Sequence, residues 1–240
     1  MNQPTTTVLR WLIMLAMPFF LAFAVITLVI SPAYPRWAYS LDSFPPDPYG
    51  FSQEQRLDLA LVAIDYLQQR GSPAETIYLL EEQIEPNTGN ALYNEREIGH
   101  MIDVKRLTDL IRQLTSILGV VVIGGLGLLL WQARPQALRA LRDGGLFGSG
   151  LLLVLALFIG VGWEVFFVRF HELLFPPDSW MFPLSDSLIR LFPEVFWFYV
   201  GIIISGTTLL LSIIVAIVGW FLVRRQQPAP RTQNSVAPQA

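Results

Sequence analysis

The chain has 240 residues, of which 53% are hydrophobic and 15% are charged, with a formal net charge of -3. Because a soluble domain could hardly bury so apolar a composition, the chain is expected to be an integral membrane protein. The absence of cysteine excludes disulfides, thiol catalysis and thiolate metal sites. No basic cluster lies in the segments predicted to face outward, so nucleic-acid binding has no electrostatic basis.

Four apolar segments are long enough to cross a bilayer, which takes about 20 residues as a helix. They are residues 11–30, 114–131, 147–168 and 196–223. Strands of a membrane barrel would be shorter and would alternate in polarity. The sequence therefore predicts an all-α membrane protein with four transmembrane helices and a mainly helical extracytoplasmic cap between the first two. The first segment exceeds the apolar core of a signal peptide, so we expect it to remain as an anchor.

The arginines are concentrated at one side of these predicted helices. They are Arg10 in the N-terminal segment 1–10, Arg134, Arg139 and Arg142 in the loop 132–146, and Arg224, Arg225 and Arg231 in the tail 224–240. By the positive-inside rule, these three regions are expected to be cytoplasmic. Residues 31–113 and 169–195 then face outward. The tail, rich in Pro, Gln and Ser, is predicted to be disordered.

The cap is predicted to begin extended and to continue as helices. Its first part is rich in proline, at Pro32, Pro35, Pro45, Pro46 and Pro48, which disfavours helix. Ser52 and Gln55 form a capping box that begins a helix. Asn94 and Glu97 form a second start of this kind. The apolar pattern then runs without proline to Ala133, which predicts one continuous helix whose lower part is the second span.

The chain has two histidines, His100 and His171, and each lies just outside the membrane end of a predicted span. Imidazole is the only side chain whose unperturbed pKa allows proton exchange near neutral pH. At 1.5 Å per residue, His100 lies about 46 Å above Trp131 and His171 about 36 Å above Phe147. Both heights reach the outer boundary of a hydrocarbon core about 30 Å thick. We therefore expect one site to contain both histidines.

Polar residues surround both histidines in the sequence. Beside His100 they are Asn94, Glu95, Arg96, Glu97 and Asp103, and beside His171 they are Glu164 and Glu172. Glu97 and Asp103, each three residues from His100, are expected to accept one of its imidazole N–H groups. Glu164 lies inside a predicted span, seven residues before His171, and is expected to support it. An acid inside a span is by default a candidate for function.

Two motifs of the chain resemble those of the bacterial four-span integral membrane family that contains the lipoprotein intramolecular transacylases. They are residues 92–105, which read LYNEREIGHMIDVK, and residues 170–175, which read FHELLF, followed by Trp180 and by LFPE at 191–194. Members of that family move the sn-2 acyl chain of a diacylglyceryl group onto the α-amine of the same N-terminal cysteine. The resemblance covers most of the chain and implies that His100 and His171 are catalytic.

The resemblance also implies a location and partners. The protein would be a membrane acyltransferase of the bacterial plasma membrane, with its active site at the outer face. Its partners would be a diacylated lipoprotein N-terminus and membrane lipid, and it would need neither a metal nor another cofactor. We expect it to act as a monomer.

The implied chemistry suits the residues. An α-ammonium group, with a pKa near about 8, can lose its proton to a neutral imidazole before the amine attacks an ester. We expect His100 to be this base and His171 to protonate the leaving alkoxide or to hold the substrate, although the sequence leaves the reverse assignment open. Arg96 and Asn94 are the nearest candidate donors to the tetrahedral oxyanion. No acyl-enzyme is required, because both reacting groups belong to one molecule.

Two other functions remain open at this stage. The histidines and a carboxylate could bind zinc and make a membrane hydrolase, since two histidines and one acid are an adequate catalytic ligand set. Alternatively, the protein binds lipid or lipoproteins without catalysis. The aromatic residues near the membrane boundary are expected to form an interfacial belt, and they are Trp163, Phe166, Phe167, Trp180 and Trp197.

Overall fold

Helices make up most of the computed structural model, which describes residues 2–226. In chain order they are α1 Gln3–Val29, α2 Ala33–Tyr39, α3 Gln53–Gln68, α4 Pro73–Thr76, α5 Tyr78–Glu81, α6 Glu95–Gly119, α7 Gly125–Gln132, α8 Arg134–Val161, α9 Trp163–Leu174, α10 Ser187–Leu191 and α11 Glu194–Arg224. Over residues 2–226, β pairing is limited to an isolated antiparallel bridge between Ile84 and Ala91. The predicted all-α class is therefore confirmed.

Four helical segments are long and apolar enough to cross a membrane, as predicted. They are Gln3–Val29, Glu95–Gln132, Arg134–Ile159 and Glu194–Arg224. The first begins well before residue 11 because the side chain of Asn2 caps it, accepting a hydrogen bond from the N–H of Thr5. Of the tail predicted to be disordered, residues 227–240 lie outside the described part of the chain.

The helix that carries His100 is continuous, as the proline-free pattern predicts. Helices α6 and α7 are joined by a π-helical turn, Val120–Gly124, into a segment of 38 residues. At 1.5 Å per residue this segment is about 57 Å long, nearly twice a hydrocarbon core of about 30 Å. Its charged N-terminal turns therefore extend outside the membrane and leave the apolar residues nearer Gln132 to span it.

The helix that carries the third predicted span differs from the predicted bounds at both ends. Helix α8 begins at Arg134, inside the predicted cytoplasmic loop 132–146, because Pro135 occupies a first-turn position that suits proline. It ends at Val161, before residue 168. Gly162 is extended, with φ -169° and ψ 85°, and a separate helix, α9, begins after it. His171 is therefore carried on a short helix and not on the span itself.

The proline-rich start of the cap is also partly helical. Helix α2 follows Pro32 and has Pro35 in its first turn, where a missing N–H costs no helical hydrogen bond. Tyr34 and Tyr39 of this helix are buried, and the Tyr39 hydroxyl donates to the carbonyl of Leu191 at 2.6 Å. The capping box of Ser52 forms as predicted. Helix α2 thus connects the cap to α10.

Small residues bring the spans into close contact. A Cβ added at Gly145 of α8 would meet the backbone of Ala216 on α11, and one added at Gly219 would meet the backbone of Arg142. Such small residues are typical of helix interfaces in membranes, where backbones approach closely. The contact between α8 and α11 fixes the part of the bundle that leads up to α9.

Two buried arginines fix α10 within the cap. The Arg190 guanidinium donates to Asp47 at 2.9 Å, and both side chains are almost fully buried. Arg56, which is 2% exposed, donates from Nε to the carbonyl of Arg190 at 2.8 Å. Buried cations are costly unless they are paired in this way. The pairs hold α10 beside the beginning of α6, where the candidate site lies.

Candidate active site

His100 lies in the second turn of α6 and faces a group of aromatic rings. Its side chain is buried, and its ring centroid lies 4.9 Å from that of Phe175 and 5.4 Å from that of Phe182. Its Nδ1 has no hydrogen-bond partner among residues 2–226. Burial, together with the neighbouring charge of His171, lowers the pKa of His100 to about 4, and Asp103 opposes the shift. His100 is therefore neutral at pH 7.

His171 lies in the last turn of α9, with one ring nitrogen already bonded. Its Nδ1 lies 2.7 Å from the carbonyl oxygen of Phe167. Because a carbonyl only accepts, Nδ1 carries the proton and Nε2 of the neutral ring has a free lone pair. Burial lowers the pKa of His171, and the bond to Phe167 partly offsets this effect. The ring also lies against Phe167 and Trp180, at centroid distances of 4.1 and 4.9 Å.

One aromatic ring, Phe175, contacts both histidines. Its centroid lies 4.9 Å from that of His100 and 5.6 Å from that of His171. The rings thus occupy one site, although α6 and α9 are far apart in the sequence. The rings that contact the imidazoles are aromatic, so an ester brought against them would meet mainly apolar neighbours.

The first turn of α6 holds the segment that follows Phe175. Asn94 donates to Asp186 at 3.1 Å, and Arg96 donates to the carbonyl of Met181 at 3.4 Å. Glu97 accepts from the N–H of Leu188 at 2.6 Å. These three contacts, which we call the α6 clamp, hold residues 181, 186 and 188, and so position Phe182 against His100. Asn94 and Arg96 themselves are exposed.

The expected bonds from Glu97 or Asp103 to His100 are absent from the described structure. Glu97 is 1% exposed and accepts from the N–H groups of Asn94 and Leu188. Asp103 accepts from Arg106 at 2.8 Å. The backbone N–H groups at a helix start lack helical partners, so they attract the carboxylate of Glu97 more strongly than the imidazole does. Burial raises the pKa of Glu97, and its two backbone bonds oppose that shift.

The other predicted acids lie at the edge of the site. Glu95 is exposed in the first turn of α6, and Glu172 is exposed and pairs with Arg169 at 2.7 Å. Glu164 is exposed in the first turn of α9. Within residues 2–226 no hydrogen bond joins Glu164 to His171, whose Nδ1 is instead bonded to Phe167. The direct support that we expected from Glu164 is therefore not seen.

Aromatic residues form more of the site than the sequence indicated. Phe167 and Trp180, which we expected in an interfacial belt, lie against His171. Phe175 and Phe182 were not singled out as site residues. The four-residue spacing of Phe167, His171 and Phe175 places them on one helix face. This spacing could have revealed that Phe167 and Phe175 contact His171. Phe182 reaches the site through the fold of the following loop.

The carboxylates and histidines do not converge into a metal site. Over residues 2–226, no three side chains of His, Cys, Asp or Glu lie close enough together to hold a metal ion. The carboxylate of Glu97 faces backbone N–H groups, and that of Asp103 faces Arg106. The geometry thus offers no ligand set for the zinc-hydrolase alternative.

The chain is similar to known proteins over most of its length. The model of the family described as lipoprotein intramolecular transacylase Lit matches residues 10–197. An uncharacterized protein of Aquifex aeolicus is 30% identical over 195 residues, which cover 80% of this chain and 84% of that protein.

Solved structures share the fold. The membrane-integral Lit of Bacillus cereus superposes with a TM-score of 0.65 at 19% identity, covering 93% of this chain and 98% of that one. A histidine-to-alanine variant of the same protein gives a TM-score of 0.58 at 18% identity, covering 92% and 94% of the two chains.

Proposed function

Since the chain belongs to the family of the lipoprotein intramolecular transacylase Lit, a family of membrane-integral enzymes, we propose that His100 and His171 perform its acyl transfer. The substrate would be a lipoprotein whose N-terminal cysteine carries a diacylglyceryl group. The acyl chain at the sn-2 position moves to the α-amine of the same cysteine. The observation that carries this proposal is the placement of both imidazoles around Phe175.

His171 is the better base of the two. Its Nδ1–H is engaged by the carbonyl of Phe167, which orients the ring and leaves Nε2 to accept a proton. A base works best when its pKa lies near the working pH, and the pKa of His100, lowered to about 4, lies far below it. This assignment reverses the one expected from the sequence.

His100 is suited to donate a hydrogen bond. Its burial keeps the ring neutral, and a neutral imidazole still carries one N–H. We assign this N–H to the oxygen that becomes negative when the amine attacks the ester carbonyl. Asn94, Arg96 and Glu97 act as positioning residues, because their bonds hold the segment that includes Phe182.

The step balances without an added reactant. Nε2 of His171 removes a proton from the α-ammonium and releases it to water, and the free amine forms a C–N bond with the ester carbonyl carbon. Nε2 then takes the second proton from this nitrogen. The tetrahedral intermediate collapses, its C–O bond to glycerol breaks, and His171 gives this second proton to the alkoxide. The products are an N-acylated cysteine and a glycerol hydroxyl. Because both groups belong to one molecule, a monomer without metal or cofactor suffices.

We place this site at the outer face of the bacterial plasma membrane, with both termini cytoplasmic. Arg10 of α1 donates to Asp143 of α8 at 2.7 Å, and Arg142 pairs with the same acid. These contacts bring the arginines of the N-terminus and of the α7–α8 connection to one end of the bundle. The histidines lie toward the other end, so the positive-inside rule supports this orientation.

Mass spectrometry of lipoprotein N-termini tests the proposal. Cells that express the chain should contain cysteine with an N-linked acyl chain and a monoacylglyceryl thioether, and cells without it should retain the diacylglyceryl form. The purified protein should keep its full activity after treatment with a chelator, whereas a zinc hydrolase would lose it. Unchanged lipoproteins in cells with abundant, folded protein would rule out the proposed reaction.

A further inference from the structure

An apolar groove of about 480 Å³ lies between α8 and α11, next to the break at Gly162. Its lining includes Leu152 and Ile159 of α8, Phe198 and Leu209 of α11, and Trp163 at the start of α9. We propose that this groove binds one acyl chain of the substrate lipid. This inference rests on the proposed function, because it assigns the groove to the lipid whose ester reacts at the two histidines.

The length of the groove fits the acyl chains of one leaflet. From Phe198 to Leu209 the helix α11 rises about 16 Å. A hydrocarbon core about 30 Å thick gives each leaflet about 15 Å. The groove can therefore hold a chain from near its ester almost to the middle of the bilayer.

An aromatic row connects the groove to His171. The Trp163 ring lies 5.8 Å from that of Phe167, which in turn lies 4.1 Å from that of His171. These residues are spaced by four along α9 and share one face. A lipid with one chain in the groove would therefore have its glycerol esters close to the imidazoles.

One residue that lines the groove, Trp163, has a polar atom without a partner. Nε1 of Trp163 is enclosed and has no hydrogen-bond acceptor among residues 2–226. Buried donors in native proteins nearly always have a partner. An ester carbonyl at the head of an acyl chain supplies an acceptor of the required kind, so we assign this N–H to a lipid ester.

Two glycines allow a matched test. Gly206 lines the groove, and a Cβ added there would meet no atom within 4 Å. A leucine at this position would therefore occupy the groove without clashing with the backbone. Gly150 of α8 has equally open surroundings but does not line the groove. Gly150→Leu thus controls for adding the same side chain to a membrane helix.

The experiment uses the purified full chain in liposomes and synthetic diacylglyceryl-cysteine peptides with palmitoyl or octanoyl chains. N-acylated product is followed by mass spectrometry. Gly206→Leu should lower kcat/KM for the palmitoyl substrate by about 10- to 100-fold, because a misplaced ester reacts poorly, and should affect the octanoyl substrate much less. Gly150→Leu should behave like the unaltered chain. Trp163→Phe should lower kcat/KM about 2- to 10-fold for both substrates, since it removes one hydrogen bond.

Leu209→Trp, which shortens the groove from its inner end, provides a second variant should Gly206→Leu not fold. It should shift the preference toward the octanoyl substrate. Unchanged kcat/KM for both substrates in a folded groove variant would overturn the assignment and would indicate that the groove holds bulk lipid or nothing. Absence of product from both the unaltered chain and Gly150→Leu would overturn the proposed function, and the groove assignment with it.

Discussion

The two halves of the candidate site differ in how firmly they are held. His100 lies on a helix that is fixed by the α6 clamp and, one turn further, by Lys105, which is fully buried and donates to the carbonyl of Gln69. His171 lies on α9, which has no fully buried residue and follows the break at Gly162. Leu173 of α9 is 82% exposed.

This difference indicates that the two helices of the site have different roles, with α6 fixed and α9 mobile. Segments with few buried contacts open locally at low free-energy cost, whereas well-packed segments open only with global unfolding. We expect α9 to move away from α6 and let a lipid-linked cysteine enter from the membrane. Helix α6, which carries His100, then stays in place, and the ester is aligned against it.

Replacing either histidine should produce the largest effect on the rate of acyl transfer and should distinguish the roles of the two histidines. His171→Ala should lower the rate of acyl transfer about 100- to 10,000-fold, the usual cost of a lost general base. His100→Ala should cost about 100- to 1,000-fold, as loss of an oxyanion donor does. The melting temperature should fall less for His171→Ala than for His100→Ala, because His171 is only half-buried and His100 is buried. Normal product levels from either variant, at normal expression, would refute the role given to that residue.

Two acids of the same type provide a test of stability. Glu97→Ala should lower the free energy of unfolding by about 2–4 kcal/mol, because it leaves the buried N–H of Leu188 and the partly buried N–H of Asn94 without their charged acceptor. Glu172→Ala, at the exposed Arg169 pair on α9, should change it by about 0.5 kcal/mol or less. Denaturant unfolding in detergent measures both values. Equal losses in the two variants would mean that the halves are held alike.

Acid should destabilise the His100 half. The unfolded chain takes up a proton near pH 6.5, while the folded chain keeps His100 neutral until about pH 4. The free energy of unfolding should therefore fall as the pH falls from 6.5 toward 4, by about 3 kcal/mol from this residue. Glu97, whose pKa is raised, acts in the opposite sense, so the contribution is measured as the difference between the unaltered chain and His100→Gln. A pH-independent difference would contradict the burial of a neutral His100.

Glu164 should contribute least. It is exposed and has no hydrogen bond to His171 in the described structure. Glu164→Gln should therefore slow acyl transfer less than about fivefold, since interactions of exposed charges are worth about 0–1 kcal/mol. Steady-state kinetics with a diacylated peptide measure the effect. A loss as large as that of His171→Ala would restore Glu164 as the partner of His171.

Local sequence patterns predicted much of the fold because capping and membrane spanning depend on residues that are close together in the sequence. The capping boxes at Ser52 and Asn94 begin helices where expected, since both hydrogen bonds of each box lie within four residues. The long apolar segments predicted four spans because a bilayer requires that length. The break at Gly162 was missed, because one glycine in an apolar helix is a weak signal.

The partners of the site residues were harder to predict. Glu97 was expected to bond His100 three residues away, but it binds the N–H of Leu188, which is 91 residues away. Spacing along one helix identifies residues that share a face, but it gives no information about a distant backbone that competes for the same carboxylate. The sequence made both histidines candidates because they are rare and polar, and their catalytic role stays a prediction. The aromatic residues around them were not, because aromatic residues are common at any membrane boundary.

The most direct test of the account is the tautomer and charge of the two histidines. Because the chain has only two, ¹⁵N-histidine NMR of the protein in lipid nanodiscs can assign each by comparison with the His100→Gln and His171→Gln variants. We expect both rings to be neutral at pH 7, with the proton of His171 on Nδ1 and its Nε2 free. A His171 that is charged at pH 7 or carries its proton on Nε2 would contradict its role as the base.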